Sequence, residues 1–414
     1  MAMAKPLLRL LLHLHAALLF LPADPAAGAM YNVVRYGARP DGATDSSGPF
    51  LRAWADACLS RRPATVFVPP GRFLVGSATF SGPCRGGAVT FANAGTVVAP
   101  ARHGGGSSSS GRWITFENVE GLRVTGGTLD GNGRALWACR KRGHGHCPAG
   151  ASATQNQDAN ETNEMQSLTI SNSRDVVVDG VRSVDSEMFH VVVIQSTGVT
   201  LRGVTVQAPA DSPNTDGIHI HMSSHVAVYD ARVATGDDCV SIGPGNSHLW
   251  IERVACGPGH GISIGSLGKQ QGMAEEVVQN VTVKTAWFTG TTNGLRIKTW
   301  GGSKRGLVRG VTFMDATMAG VDNPIIIDQN YCPDADAGCP TRSSSIKISG
   351  VRYVGIRGSS ATPVAVNFDC SRSNPCSGIS MQDVALTYRN RAAKSYCRNV
   401  QGTTLGLVLP RSCF

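Results

Sequence analysis

Along most of the chain, Val, Ile and Thr alternate with polar residues in runs too short for helices, and one phrase keeps returning. A corner of Asn, Ser or Gly is followed by two β-formers flanking one residue, then a Gly or polar residue, then β-formers again. It reads EGLRVTGGTLDG, RDVVVDGVRSVD, TGVTLRGVTVQ, SHVAVYDARVA, SHLWIERVACG, QNVTVKTAWF and RGVTFMDATM. Aligned on Val176, Val199, Val226, Leu249, Val281 and Val311, it advances in steps of 23, 27, 23, 32 and 30 residues. A period in the twenties with almost no helical periodicity predicts a solenoid of short parallel strands. The expected fold is all-β, a right-handed parallel β-helix. A β-sandwich would suit the composition, but not the return of a whole phrase.

A solenoid needs closed ends. The segment Asp45–Ser60, DSSGPFLRAWADACLS, starts on Ser and spaces its apolar residues as a helix does, so it is predicted to cap the N-terminal end. HGGGSSSSG at 103–111 and the stretch 141–165 lack the phrase and read as exposed loops inside one domain.

Residues 1–29 interrupt this picture. A basic start at Lys5, a Leu-rich run and the small-residue ending Ala27-Gly28-Ala29 predict a secretory signal peptide, leaving residues 30–414 as a single domain. Arg9, His13 and His15 break the apolar run, and no later segment approaches the roughly 18 apolar residues of a membrane span. Without Lys5, Arg9 and Asp24 the chain keeps 36 basic and 28 acidic residues, a net charge of +8. Export and the lack of a Lys/Arg block disfavour nucleic acid as the partner, and an extracellular polyanion fits better. All 12 cysteines follow the signal, which favours disulfides over metal sites. Sequence-adjacent pairing predicts Cys58–Cys84, Cys139–Cys147, Cys239–Cys256, Cys332–Cys339, Cys370–Cys376 and Cys397–Cys413. Asn160-Glu161-Thr162 and Asn280-Val281-Thr282 are glycan acceptor motifs.

Acidic residues number only 29, yet Asp216, Asp237 and Asp238 stand inside runs that otherwise read as buried strand. Stacked coils lie about 4.8 Å apart, so residues one coil apart in sequence become neighbours. Asp216 and Asp237 are 21 apart, His260 lies 22 beyond Asp238, and Arg296 with Lys298 follows after a longer coil. One face would then carry all six. Taken singly, each reads blandly: Asn214–Gly217 as a turn, Gly236–Asp238 as a loop or a calcium site, His260 as a histidine in a tight bend, Arg296 and Lys298 as a solvated face. Their coincidence at coil spacing is what points to a site. Three close carboxylates raise at least one pKa, and paired carboxylates are the minimum equipment for breaking a glycosidic bond. Arg296 and Lys298 share one side of LRIKT and can face a carboxylated substrate. Asp237 and Asp238 are adjacent and can both reach the cleft only where the strand ends or bends, a bend that Gly236 would permit.

The ordered set Asn214-Thr215-Asp216, Gly236-Asp237-Asp238, Gly259-His260-Gly261 and Arg296-Ile297-Lys298 resembles the plant polygalacturonases of glycoside hydrolase family 28. The likeness runs from YNVVRYGARPDGATDSS to the terminal SCF. It implies a right-handed β-helix and single-displacement hydrolysis of α-1,4-linked galacturonan with inversion. It implies the general acid at Asp237, water activation by Asp216 and Asp238, and support of the acid by His260. Asn214, Arg296, Lys298 and Tyr331 would hold galacturonate. The expected protein is therefore a secreted, monomeric cell-wall enzyme acting on pectic polygalacturonan, with no cofactor, metal, membrane or nucleic acid. Pectate lyase, which needs calcium and a basic catalytic residue, and a noncatalytic pectin-binding β-helix are the competing readings. His219 and His221 depart from the family pattern; at i and i+2 they read as one-face packing or surface residues with an influence on pH dependence, rather than as metal ligands. The stretch GASATQNQDANETN is longer than its family counterpart and bears on where along a polymer the chain would cut.

Overall fold

In the computed structural model, residues 28–101, 111–141, 166–269, 275–333 and 339–414 are described. The expected signal peptide, the long polar stretch, the Asn160 acceptor motif and most of the 103–111 loop lie outside them. The described residues form a right-handed parallel β-helix, its strands paired in one 22-stranded and one 11-stranded sheet. The predicted repeat is the coil. Val176 pairs with Val199, Val226 with Leu249, Leu249 with Val281 and Val281 with Val311, which are the steps read from the sequence.

Alternation along each strand sorts side chains between an inner and an outer column. In the 11-stranded sheet the inner column runs Ile170, Val193, Ile220, Ile242, Ile264, Ile297, Ile327 and Phe368, all buried. One residue earlier, the outer column runs Thr169, Val192, His219, Ser241, Ser263 and Arg296. The aliphatic column fixes where each coil sits, and the polar column inherits that register. Corners repeat too. The backbone N–H of Ser173 donates to Ser196 Oγ, that of Ser196 to Ser223 Oγ, and that of Ser223 to Asn246 Oδ1, at 2.9–3.1 Å.

The capping helix spans Ser47–Leu59 and buries Phe50, Ala53, Trp54 and Ala57, the i, i+3, i+4, i+7 face. Its N-terminal hydrogen bond comes from Asp45, whose Oδ1 accepts the Ser47 N–H at 2.9 Å; the Ser46 hydroxyl turns back to the Thr44 carbonyl. Trp54 closes the end of the solenoid against Phe80 and Phe116, each with ring centroids 5.5 Å away. A second helix, Arg134–Lys141, was not expected, because the sequence reading assigned nothing between the phrase ending at Gly131 and the loop. Five of the six expected disulfides are present; the sixth, Cys139–Cys147, lies partly outside the described residues. No described helix is long and apolar enough to cross a membrane.

Since Trp54, with Phe50, seals the first coils, Trp54→Ala should cost about 3–5 kcal/mol. Urea unfolding checks this, and an unchanged midpoint would show that the cap does not close the core.

Candidate active site

Strands Ile218–His221, Val240–Ile242, Ile262–Leu267 and Asn293–Trp300 stack in the 11-stranded sheet, and the turns entering them carry the acids and His260. Asn214 occupies the left-handed region at φ +51°, completing the turn before Asp216. Thr215 knits that turn to the next: its Oγ1 accepts the N–H of Gly236 at 3.1 Å and the hydroxyl of Thr235 at 2.7 Å. The chain bends at Gly236 and Asp237 as expected, and a second constraint also requires the glycine. Its φ is not positive; a Cβ there would lie 2.0 Å from the Ser212 carbonyl oxygen. The close approach of two stacked turns therefore places Asp237 and Asp238, and Cys239–Cys256 ties the second of them to the coil that follows.

The expected column assembles. Asp238 is buried, its side chain only 1% exposed, and both of its oxygens are engaged. Oδ1 accepts from Arg296 at 2.6 Å and from Ser263 at 2.8 Å, while Oδ2 accepts from Lys298 Nζ at 3.0 Å. Burial pushes this carboxyl up, but the charges of Arg296, Lys298 and His260 outweigh it and hold it at about 2. Asp216 behaves oppositely. Burial, then repulsion from Asp237 and Asp238, raises it well above the ordinary carboxyl value, and a hydrogen bond from Ser241 only partly offsets this. Asp237 is the accessible member at 19% exposure. Its Oδ1 accepts the N–H of Asp238 at 2.8 Å and faces His260 Nδ1 at 3.0 Å, and that hydrogen bond raises the His260 pKa despite partial burial.

Arg296 and Lys298 point at Asp238 rather than into open space, so their net surplus of one positive charge is what remains for a ligand. The Lys298 ammonium also lies 5.1 Å from the centre of the Tyr331 ring, which packs edge-on against Trp300. Asn214 is half-buried and makes no side-chain hydrogen bond among the described residues. Asp237, Asp238 and His260 place donor atoms within 4.8 Å of one another, close enough to hold a cation. Yet Asp238, which would be its strongest ligand, already has Arg296 and Lys298 as counter-charges.

The histidine pair takes a definite form. His219 is half-buried and stacks on Phe189, ring centroids 4.6 Å apart, and desolvation depresses it to about 3, so it is neutral across the physiological range. Its Nδ1 lies 2.7 Å from Ser241 Oγ, the hydroxyl that bonds Asp216. His219 therefore orients an acid through a serine, and its own protonation does not set a pH dependence near neutrality. Ser241 and Ser263 escaped the sequence reading; they stand between His219 and Arg296 in the outer column, and counting the alternation from Arg296 backwards would have found them.

The Glycosyl hydrolases family 28 profile matches residues 58–409. This chain belongs to glycosyl hydrolase family 28. Among its relatives within the family, a polygalacturonase from Prunus persica is 52% identical over 389 residues, 94% of each chain. An exopolygalacturonase from Platanus acerifolia is 40% identical, covering 93% of this chain and 98% of that one. Among solved structures, an endo-xylogalacturonan hydrolase from Aspergillus tubingensis superposes with a TM-score of 0.74 at 22% identity, over 91% of this chain and 99% of that one; that likeness speaks to the fold. The family 28 chain is a glycosidase.

Opposite pKa shifts give opposite stability effects. Asp216 has a folded pKa above its unfolded value of 3.8, so its contribution is intact below that value and lost as pH rises through the folded pKa. Asp216→Asn removes that penalty, and its thermal midpoint should gain on the parent as pH rises from about 4 to about 8. Asp238 has a depressed folded pKa; its contribution is present above 3.8 and lost as pH falls through about 2. Asp238→Asn leaves two buried cations without a counter-charge and should cost about 3–5 kcal/mol at neutral pH. Calorimetry of both variants checks the contrast, and equal losses at high pH would contradict it.

Proposed function

We propose that this chain is a secreted polygalacturonase that hydrolyses α-1,4-galacturonosyl linkages of pectic polygalacturonan in the plant cell wall, as a monomer and with inversion. The observation that carries the reading is the division of labour among three adjacent carboxyls. One is held ionised by two cations, one is pushed toward holding a proton, and the third, Asp237, is open to a ligand.

In this reading Asp237 is the general acid. Both of its hydrogen bonds fall on Oδ1, leaving Oδ2 to carry a proton toward the glycosidic oxygen. His260 fixes the carboxyl from the other side. Asp216, with its high proton affinity, accepts a proton from the attacking water, and the permanent charge on Asp238 assists. The working state has a single proton in the Asp216–Asp237 pair, placed on Asp237 when water attacks, so activity falls when the pair gains a second proton or loses its only one, and the profile is bell-shaped. Arg296 uses Nε on Ser263 and one terminal nitrogen on Asp238, and Lys298 uses one of its donors on Asp238. Their remaining N–H groups, with Asn214 and Tyr331, receive the galacturonate carboxylate and ring. The disulfides and the basic net charge fit an exported protein that works on a polyanion.

Asp237→Asn should lower kcat for reducing-end release from polygalacturonate by about 10²–10⁴-fold. Proton NMR of the wild-type reaction should show the inverted anomer first. Wild-type activity in the variant would remove Asp237 from the acid role, and an unsaturated product absorbing in the ultraviolet would make the enzyme a lyase.

A further inference from the structure

A second face of the solenoid carries a groove that the catalytic residues do not use. It has a volume of about 360 Å³ and is lined by Thr205, Gln207, Arg232, Trp287 and Thr289 over a floor of small residues. These residues lie on the outer face of the 22-stranded sheet, while Val206, Val233, Cys256 and Phe288 between them point inward and are buried. Ladder register orders the face. Arg182 pairs with Thr205, Thr205 with Arg232, Arg232 with Ala255, Ala255 with Trp287, Trp287 with Thr317 and Thr317 with Arg357. Arginine, arginine, tryptophan, arginine thus recur every second coil, roughly 9.6 Å apart. Between Arg232 and Trp287 only Ala255 intervenes, which leaves a slot the width of two coils.

Trp287 is 44% exposed, a large apolar surface to leave in water. Neither Arg232 nor Arg357 enters an ion pair among the described residues, and Arg182 donates to Gln207 Oε1 at 2.7 Å. A flat indole beside guanidinium groups with unused donors matches a particular ligand chemistry. The indole offers a face to the C–H surface of a pyranose ring, and an adjacent guanidinium takes a carboxylate through two N–H groups. The slot borders the Gly257 end of the turn that carries His260, so it runs beside the catalytic face with that turn as the wall between them.

We propose that this groove is an ancillary binding track for galacturonan, in which one uronate ring stacks on Trp287 with its carboxylate on Arg232, and Arg182 and Arg357 extend the track along the solenoid axis. This rests on the polygalacturonase reading, because that reading supplies the polyanion. A long polymer would touch both faces and a short oligomer only the catalytic one, so the track raises the local concentration of polymer without taking part in bond cleavage.

The test compares Trp287→Ala and Arg232→Gln with the parent enzyme, using polygalacturonate of high degree of polymerisation and short oligogalacturonates. Each variant should raise KM for the polymer and weaken retention in a native gel containing polygalacturonate by about 2- to 10-fold. The kcat/KM on short oligomers should stay at the parent value. Trp287→Phe should restore most of the retention, and unchanged thermal midpoints separate a lost contact from a damaged fold. Parent-like polymer KM and retention in both Trp287→Ala and Arg232→Gln would overturn the proposal, as would loss of oligomer activity in step with polymer activity. If the parent itself releases no galacturonate from either substrate, the hydrolase reading fails, and retention alone then decides the groove: parent retention that Trp287→Ala abolishes supports it, and no parent retention overturns it.

Discussion

A parallel ladder hydrogen-bonds residue to residue, so an inward side chain on one coil has an inward neighbour on the next, and any outward side chain is carried with it. That constraint governs the rest of this chain. The buried column from Ile170 to Phe368 cannot slip by one residue without turning every aliphatic group into solvent and every outer polar group into the core. The outer column therefore has a register it does not itself stabilise. Arg296 reaches Asp238, 58 residues away, because Ile297 and Ile264 stack beneath them. The geometry of the acid cluster is a by-product of core packing.

Within that frame the difficulty is charge. Three carboxyls held this close would repel one another, and burial would make each more costly. The site resolves this by giving them different environments rather than by spreading them out. Asp238 receives two cations and a hydroxyl and stays ionised; Asp216 receives a serine hydroxyl and little else and favours its proton; Asp237 keeps contact with solvent. Acid and base chemistry both require a difference in proton affinity, and here the difference arises from what lies one coil above and one coil below. His219 belongs to the same scheme at one remove, since a neutral ring that fixes the Ser241 hydroxyl fixes the hydrogen bond on Asp216.

Repetition made the fold legible. Once the phrase spacing was measured, coil register followed, and with it the meeting of Asp216, Asp237, Asp238, His260, Arg296 and Lys298. Features that do not repeat were harder. The bend at Gly236 was legible, but not that the Ser212 carbonyl occupies the place of a side chain there, because close approach between turns leaves no periodic trace. Helix Arg134–Lys141 sits in an insertion, where the β-phrase gives no guidance. Ser241 and Ser263 carry no charge and look like ordinary strand residues until Arg296 is placed. The cap was located correctly; its N-terminal hydrogen bond is made by Asp45, because the Ser46 hydroxyl is engaged with the Arg39 N–H and the Thr44 carbonyl.

The separation between core and surface columns also bears on how a solenoid can hold more than one binding face. Each outward row can change residue type freely so long as the inward rows keep their volume, so a row of Arg182, Arg232, Trp287 and Arg357 needs no compensation from the face that carries the acid cluster. The excess of positive charge is consistent with this arrangement: Arg296 and Lys298 are engaged by Asp238, whereas Arg232 and Arg357 form no ion pair among the described residues, the Asp230 carboxylate acting on Arg232 only at longer range. In the proposed binding track a polyanion would meet Arg182, Arg232 and Arg357 outside the cleft, on a face that the acid cluster does not share. On that proposal attraction and bond cleavage fall on different rows of the same scaffold.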